Sequence, residues 1–264
     1  MGKSKDLATG AAYQDQTESD TRYVNTAGDT MTGNLAINNA SGSQVTLHRT
    51  DTTIANDDLY GQIILSGDDA DTNASGTRGY IRARSQGSGG GLKMEFGTAG
   101  GGVVIGDPRM TINADGIVTM PNQPNFRVKG NTGGWQTVSS ASEQTVLFGD
   151  EQWDLGSNFD TSNGRFTAPV AGKYFFHFHA YVRQSSQNDG SDYGTSRLYK
   201  NGSLYSGSTN IFGYQNLGDG DQIAPLTTIM DMSASDYATC VVRANSGSTQ
   251  FYQPNCIFMG YLIG

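Results

Sequence analysis

Apolar positions along this chain recur in two rhythms. From residue 44 to 121 they fall in short segments, VTLHRT, GQIILSG, GYIRARS, LKMEFGT and RMTINADGIVTMP, set between turns rich in Gly and Asp. Alternation over such short lengths predicts strands. From about residue 125 the aromatics thicken and the segments lengthen: TVLFG, GRFTAPVAGKYFFHFHAYVR, SRLYKNGSLYSG, LTTIMDM, DYATCVVRA and CIFMGYLI. In 174–183, a period of two places Tyr174, Phe176, Phe178, Ala180 and Val182 on one face and Phe175, His177, His179, Tyr181 and Arg183 on the other. The first face is predicted core. The second mixes aromatic and polar groups and suits a subunit interface better than open water. The last six strands are expected at 172–183, 194–199, 203–212, 225–232, 236–244 and 255–263.

No helical periodicity of any length interrupts this pattern, so the fold class is all-β. The 36 glycines lack the strict period of collagen and are read as turn residues. Upstream, Met31, Leu35 and Ile37 share one face, with Gly28 and Gly33 allowing bends, a strand that one chain alone can barely cover. Residues 1–27 are polar, with Lys5, Asp15, Glu18 and Asp20, and cannot hold a core of their own. Three parts follow: 1–27, 28–124 and 125–264.

Charge removes some function classes. Lys+Arg 17 against Asp+Glu 25 gives net charge −8, so no cationic field exists to condense on nucleic acid or an anionic membrane. No long apolar run predicts membrane insertion, and Lys3 and Lys5 are followed by no apolar signal region. Cys240 and Cys256 are therefore expected as buried thiols of a protein made in a reducing cytosol.

Three stretches carry resemblances. NTAGDTMTGNL at 25–35 resembles the repeat in the shafts of bacteriophage tail fibres, where three chains intertwine. The run from TLHRTDTTIANDD through RGYIRARS and LKMEFGT to RMTINADGIV resembles a module found just upstream of tail-fibre and spike tips. Residues FDTSNGRFTAPVAGKYFF at 159–176, Lys200-Asn-Gly202, Ser235-Asp-Tyr237 and FMGYLI at 258–263 resemble the globular head of complement component 1q and the tumour-necrosis-factor-like jelly rolls. Ser235 stands where that family often has glycine, and 184–194 is unusually polar. The head resemblance implies a two-sheet jelly roll that trimerises about a threefold axis, with both chain termini at one end. The reading is thus a β-structured fibre shaft at 28–124 and a jelly-roll head at 125–264. Residues 1–27 dock it on phage tail or adaptor proteins. The homotrimer is expected in the virion tail after synthesis in the host cytoplasm, recognising a bacterial surface receptor, with glycan among the candidate chemistries. The alternative is a structural virion component, a tail knob or decoration protein, whose jelly roll only trimerises and caps.

Catalytic patterns are sparse. The glutamates are Glu18, Glu95, Glu143 and Glu151, and most aspartates sit in Gly/Ser/Asn-rich turns, their ordinary solvated setting. Glu151 with Asp154 reads as a polar edge rather than a glycosidase pair. His48, His177 and His179 accompany no G-x-S-x-G elbow. His177 and His179 form an H-x-H pair that three copies could offer to a metal, although a hydrogen-bonding interface face explains them more simply. Counted from Asp69 as a calcium loop, the acidic run at 68–76 fails, because Ala74 and Tyr80 replace the required Gly and Glu. No catalysis and no resident cofactor are expected.

Strand parity locates the receptor surface. Successive loops of an antiparallel jelly roll alternate between its ends, so 184–193, 213–224 and 245–254 share the end away from the shaft. Asn188, Asp189, Asp192, Tyr193, Tyr214, Asn216, Phe251 and Tyr252 are the receptor-binding candidates there, aromatic anchors among adaptable polar groups. Asp219 and Asp221, repeated three times near an axis, would repel one another unless bridged, which makes them the candidate calcium ligands.

Overall fold

Turn chemistry sets where the first strands stop. The computed structural model describes residues 34–70, 75–100, 106–184, 193–212, 221–245, 247 and 249–264. It divides into two units, 1–48 and 49–264, each taken by itself. In the second unit, β1 (Leu59–Gly67), β2 (Gly76–Gln86), β3 (Gly91–Thr98), β4 (Met110–Ile112) and β5 (Val118–Thr119) form an antiparallel meander in sequence order. The NADG turn between β4 and β5 shows the cause. The Asn113 side-chain oxygen accepts from the N–H groups of Asp115 and Ile117 at 3.0 and 2.8 Å, and Gly116 takes φ +79°. VTLHRT at 45–50, expected as a strand, makes no ladder. Val45 and Leu47 stay exposed, since alternation without a neighbouring strand leaves the backbone unpaired.

Register sorts the meander into two unlike faces. Ile63, Ile81, Phe96 and Met110 lie side by side across it, and Ala83, Met94, Ile112 and Val118 continue the same face. Among the described residues this apolar face stays largely open: Ile63 is 54% exposed and Val118 51%. The opposite face is ionic. Glu95, 4% exposed, pairs with Arg82, with Lys93 at 3.3 Å and with Arg84 at 3.7 Å, so three cations offset the desolvation of one carboxylate.

The remaining strands are β6 (Asn125–Lys129), β7 (Trp135–Val138), β8 (Glu143–Thr145), β9 (Asp150–Leu155), β10 (Phe159–Asp160), β11 (Arg165–Thr167), β12 (Gly172–Gln184), β13 (Gly194–Lys200), β14 (Ser203–Phe212), β15 (Gln222–Met232), β16 (Tyr237–Ala244), β17 (Thr249–Tyr252) and β18 (Ile257–Leu262). They build two antiparallel sheets. In the front sheet β12 lies between β15 and the end-to-end pair β17 and β18, which are flanked in turn by β7 and β6, and β6 by β9. In the back sheet β14, β13 and β16 are followed by β8 and β11 end to end, then β10.

The core lies between these sheets. The predicted inward face of β12, Tyr174 through Val182 at every second position, is fully buried. Phe126 stacks on Phe166 at 4.6 Å and meets Phe258 edge-on at 4.9 Å, the geometry that the ring quadrupole favours. Cys240 and Cys256 are buried free thiols, as expected. Burial pushes the Cys256 thiol up to about 12 and Cys240 well above its ordinary value, so neither is nucleophilic.

One strand departs from expectation. Residues 245–254 read as a loop, yet Thr249–Tyr252 pairs with both β12 and β7 before a 3-10 turn at Gln253–Asn255. That turn presses on the end of β6. A Cβ on Gly130 would lie 1.7 Å from the Gln253 carbonyl oxygen, so this close approach admits only glycine.

Candidate recognition and assembly surfaces

The ladders fix which strand ends meet. Val182 pairs with Gln222, Gln184 with Thr249, and Gly194 with both Phe212 and Ala244, so these termini gather at one end of the jelly roll. Asn201 and Gly202, the turn around Ser235, and Asn125 paired with Tyr261 mark the other end. The chain therefore enters and leaves the two-sheet body on the same side. The six candidates Asn188, Asp189, Asp192, Tyr214, Asn216 and Asp219 lie outside the described residues.

The other four candidates separate. Tyr193 is half-buried and tied down: its carbonyl accepts from the Asn245 N–H at 3.0 Å, and its hydroxyl accepts from the Asn245 side chain at 3.1 Å. Phe251 is corrected. It is 1% exposed and belongs to the core, because β17 points it inward beside Val182, so its ring cannot anchor a receptor. Tyr252, one residue on, faces outward from the front sheet. Asp221 is exposed and accepts the Tyr181 hydroxyl at 2.8 Å, which raises the tyrosine above its ordinary value. Among the described residues no group of three or more His, Cys, Asp or Glu side chains comes together, and Asp221 has no described acidic companion of that kind.

Tyr252 joins a cluster that sequence reasoning missed. Its ring lies 5.2 Å from Trp135 and 6.2 Å from Tyr181, and Trp135 and Tyr181 are 5.9 Å apart. The Arg183 guanidinium sits 3.9 Å from the Trp135 ring centre, and its Nε donates to Gln250 Oε1 at 2.7 Å. Cross-strand pairing brings these residues together from β7, β12 and β17. The period-two face of β12 identified Tyr181 and Arg183. Nothing in the local sequence pointed to Trp135.

Further along the same face, Phe175 stacks on Tyr261 at 5.0 Å beside Ile229, its ladder partner. His177 Nδ1 lies 3.0 Å from Thr227 Oγ1, and burial pulls both His177 and His179 below the ordinary imidazole value. Ile223 and Ile229 are 55% and 54% exposed, and Trp153 and Tyr261 are about as open. A monomer seldom shows so continuous an apolar and aromatic sheet face to water.

The two packed antiparallel sheets, with chain entry and exit at one end, define a jelly roll of the C1q kind. Residues 132–263, half of the chain, match the C1q domain, and the chain belongs to that family. The globular domain of zebrafish complement 1qA is similar over 54% of this chain and 98% of its own, at 19% identity and a TM-score of 0.38. Eiger TNF from S. frugiperda is similar over 54% and 94%, at 14% identity and a TM-score of 0.41. Murine APRIL is similar over 53% and 99%, at 9% identity and a TM-score of 0.38. No curated protein matches the sequence.

Proposed function

We propose that this chain is a homotrimeric fibre protein of a tailed-phage virion, held by residues 1–27 and presenting its jelly-roll head to the bacterial surface. The carrying observation is that the same chain bears two apolar sheet faces left open among the described residues, one on the meander and one on the front sheet. A threefold assembly covers both with copies of itself, which is the arrangement that the C1q-like head and the shaft-like repeat at 25–35 imply. The phage setting rests on the shaft and tip resemblances. Binding and assembly, rather than catalysis, are the work of such a molecule.

Receptor contact is assigned to the end of the head away from chain entry, where Tyr193 and Asp221 stand beside the strand ends that lead into the remaining candidates. Calcium between the threefold copies of Asp219 and Asp221 belongs to the same proposal. The test is adsorption: purified protein should sediment as a trimer, bind host cells and compete with phage. A variant lacking residues 1–27 should stay trimeric and bind cells but fail to incorporate into particles. A trimer that enters virions yet neither binds cells nor competes refutes the receptor role and leaves the structural alternative, a knob or decoration protein.

A further inference from the structure

The back sheet turns a different chemistry outward. On β16, Thr239 and Val241 face away from the core but are 8% and 3% exposed, because side chains from β8, β11 and β13 close over them. Tyr199 from β13 donates its hydroxyl to Glu143 Oε2 on β8 at 2.7 Å. The same carboxylate oxygen has Arg197 at 3.8 Å and Arg243 at 3.7 Å. On the other side Arg165 of β11 lies 4.2 Å from the centre of the Tyr237 ring. Between them is a cavity of about 330 Å3, near the lower end of the range for small-ligand sites.

Charge gives the cavity its preference. Arg197 and Arg243 offset the Glu143 carboxylate, which leaves Arg165 as the cation of the cavity lining, in a chain of net charge −8. Arg165 has no acidic side chain within ion-pair distance among the described residues. Asp160, its ladder partner, is taken up by Ser162 and Asn163. A planar guanidinium stacked on an aromatic ring is preorganised to hold a carboxylate by two parallel hydrogen bonds. Around it stand the rings of Tyr199 and Tyr237 and the hydroxyls of Thr145 and Thr239, flat apolar surface beside small hydrogen-bonding groups.

We propose that this cavity binds a carboxylated sugar, with the carboxylate on Arg165 and the ring hydroxyls on the threonines and Glu143. A pyranose presents one apolar face and a rim of hydroxyls, which the tyrosine and threonine lining matches better than it matches an acidic peptide. The site lies on the sheet opposite the face assigned to assembly, so it stands apart from the fibre reading.

The probes are D-galacturonate, D-galactose and tetraglutamate, titrated into the intact protein and followed by saturation-transfer NMR. Galacturonate should bind, with galactose at least about tenfold weaker, the loss expected for one charge-assisted pair. Arg165 is exposed, so Arg165→Ala should keep the parent melting curve while weakening galacturonate about tenfold or more. Glu143→Gln should instead strengthen galacturonate several-fold, because it removes a negative charge from the cavity wall. Equal binding of galactose, stronger binding of tetraglutamate, no transfer from galacturonate, or indifference to Arg165→Ala would each overturn the proposal. None of these results depends on whether the protein adsorbs to cells.

Discussion

The assembly reading makes its sharpest commitment at Ile223 and Ile229. Both project from β15 onto the outer face of the front sheet and remain about half exposed in the single chain. If the chain acted alone, the double variant Ile223→Ser/Ile229→Ser would be nearly silent, since substitutions at such positions usually move stability by less than about 0.5 kcal/mol. In a trimer the sign of the argument changes. Fully burying an isoleucine is favourable by about 1.5–3 kcal/mol, and half of that gain is still open at each residue, about 1 kcal/mol. Three copies of two residues then stabilise the trimer by about 6 kcal/mol, roughly four powers of ten in its dissociation equilibrium. Sedimentation velocity across a dilution series measures this directly, with a thermal melt at two protein concentrations alongside it. The parent should stay trimeric on dilution, and the double variant should dissociate at concentrations where the parent does not. A variant that sediments as the parent does at every dilution would show that this face is not the contact, however apolar it is.

Two further outcomes follow from the head. Phe126→Ala should cost about 3–5 kcal/mol of stability by chemical denaturation, since it empties the centre of a cluster of phenylalanines in contact with Phe159, Phe166 and Phe258. His177 and His179, both depressed by burial from 6.5, face Thr227, Pro225, Met259 and Ile257 across the ladders, none of which carries a negative charge to offset protonation. The unfolded chain therefore takes up protons first, so stability should hold above pH 6.5 and fall as pH drops below it, and His177→Gln/His179→Gln should flatten that limb of the melting profile.

Much of the head was legible in the sequence for a physical reason. Five buried positions at strict period two in β12 leave only one orientation for that strand, and the burial of Cys240 and Cys256 follows from apolar neighbours. The all-β class and the gathering of strand ends by parity came from the same alternation. What period two does not contain is the identity of a strand's neighbour. Thr249–Tyr252 is too short to announce itself, so Phe251 and Tyr252 both read as exposed anchors, whereas a strand must turn one of them inward. VTLHRT alternates well and still finds no partner among the described residues. Trp135, Tyr181 and Tyr252 lie far apart in sequence and meet only because β7, β17 and β12 are laid side by side. The same holds for Glu143 and its two arginines, which the ladders of the back sheet collect from three strands. The sequence by itself determined which way each long strand faces. Only the tertiary structure decided which side chains share a surface, because register between distant strands is set by the packing of the whole core.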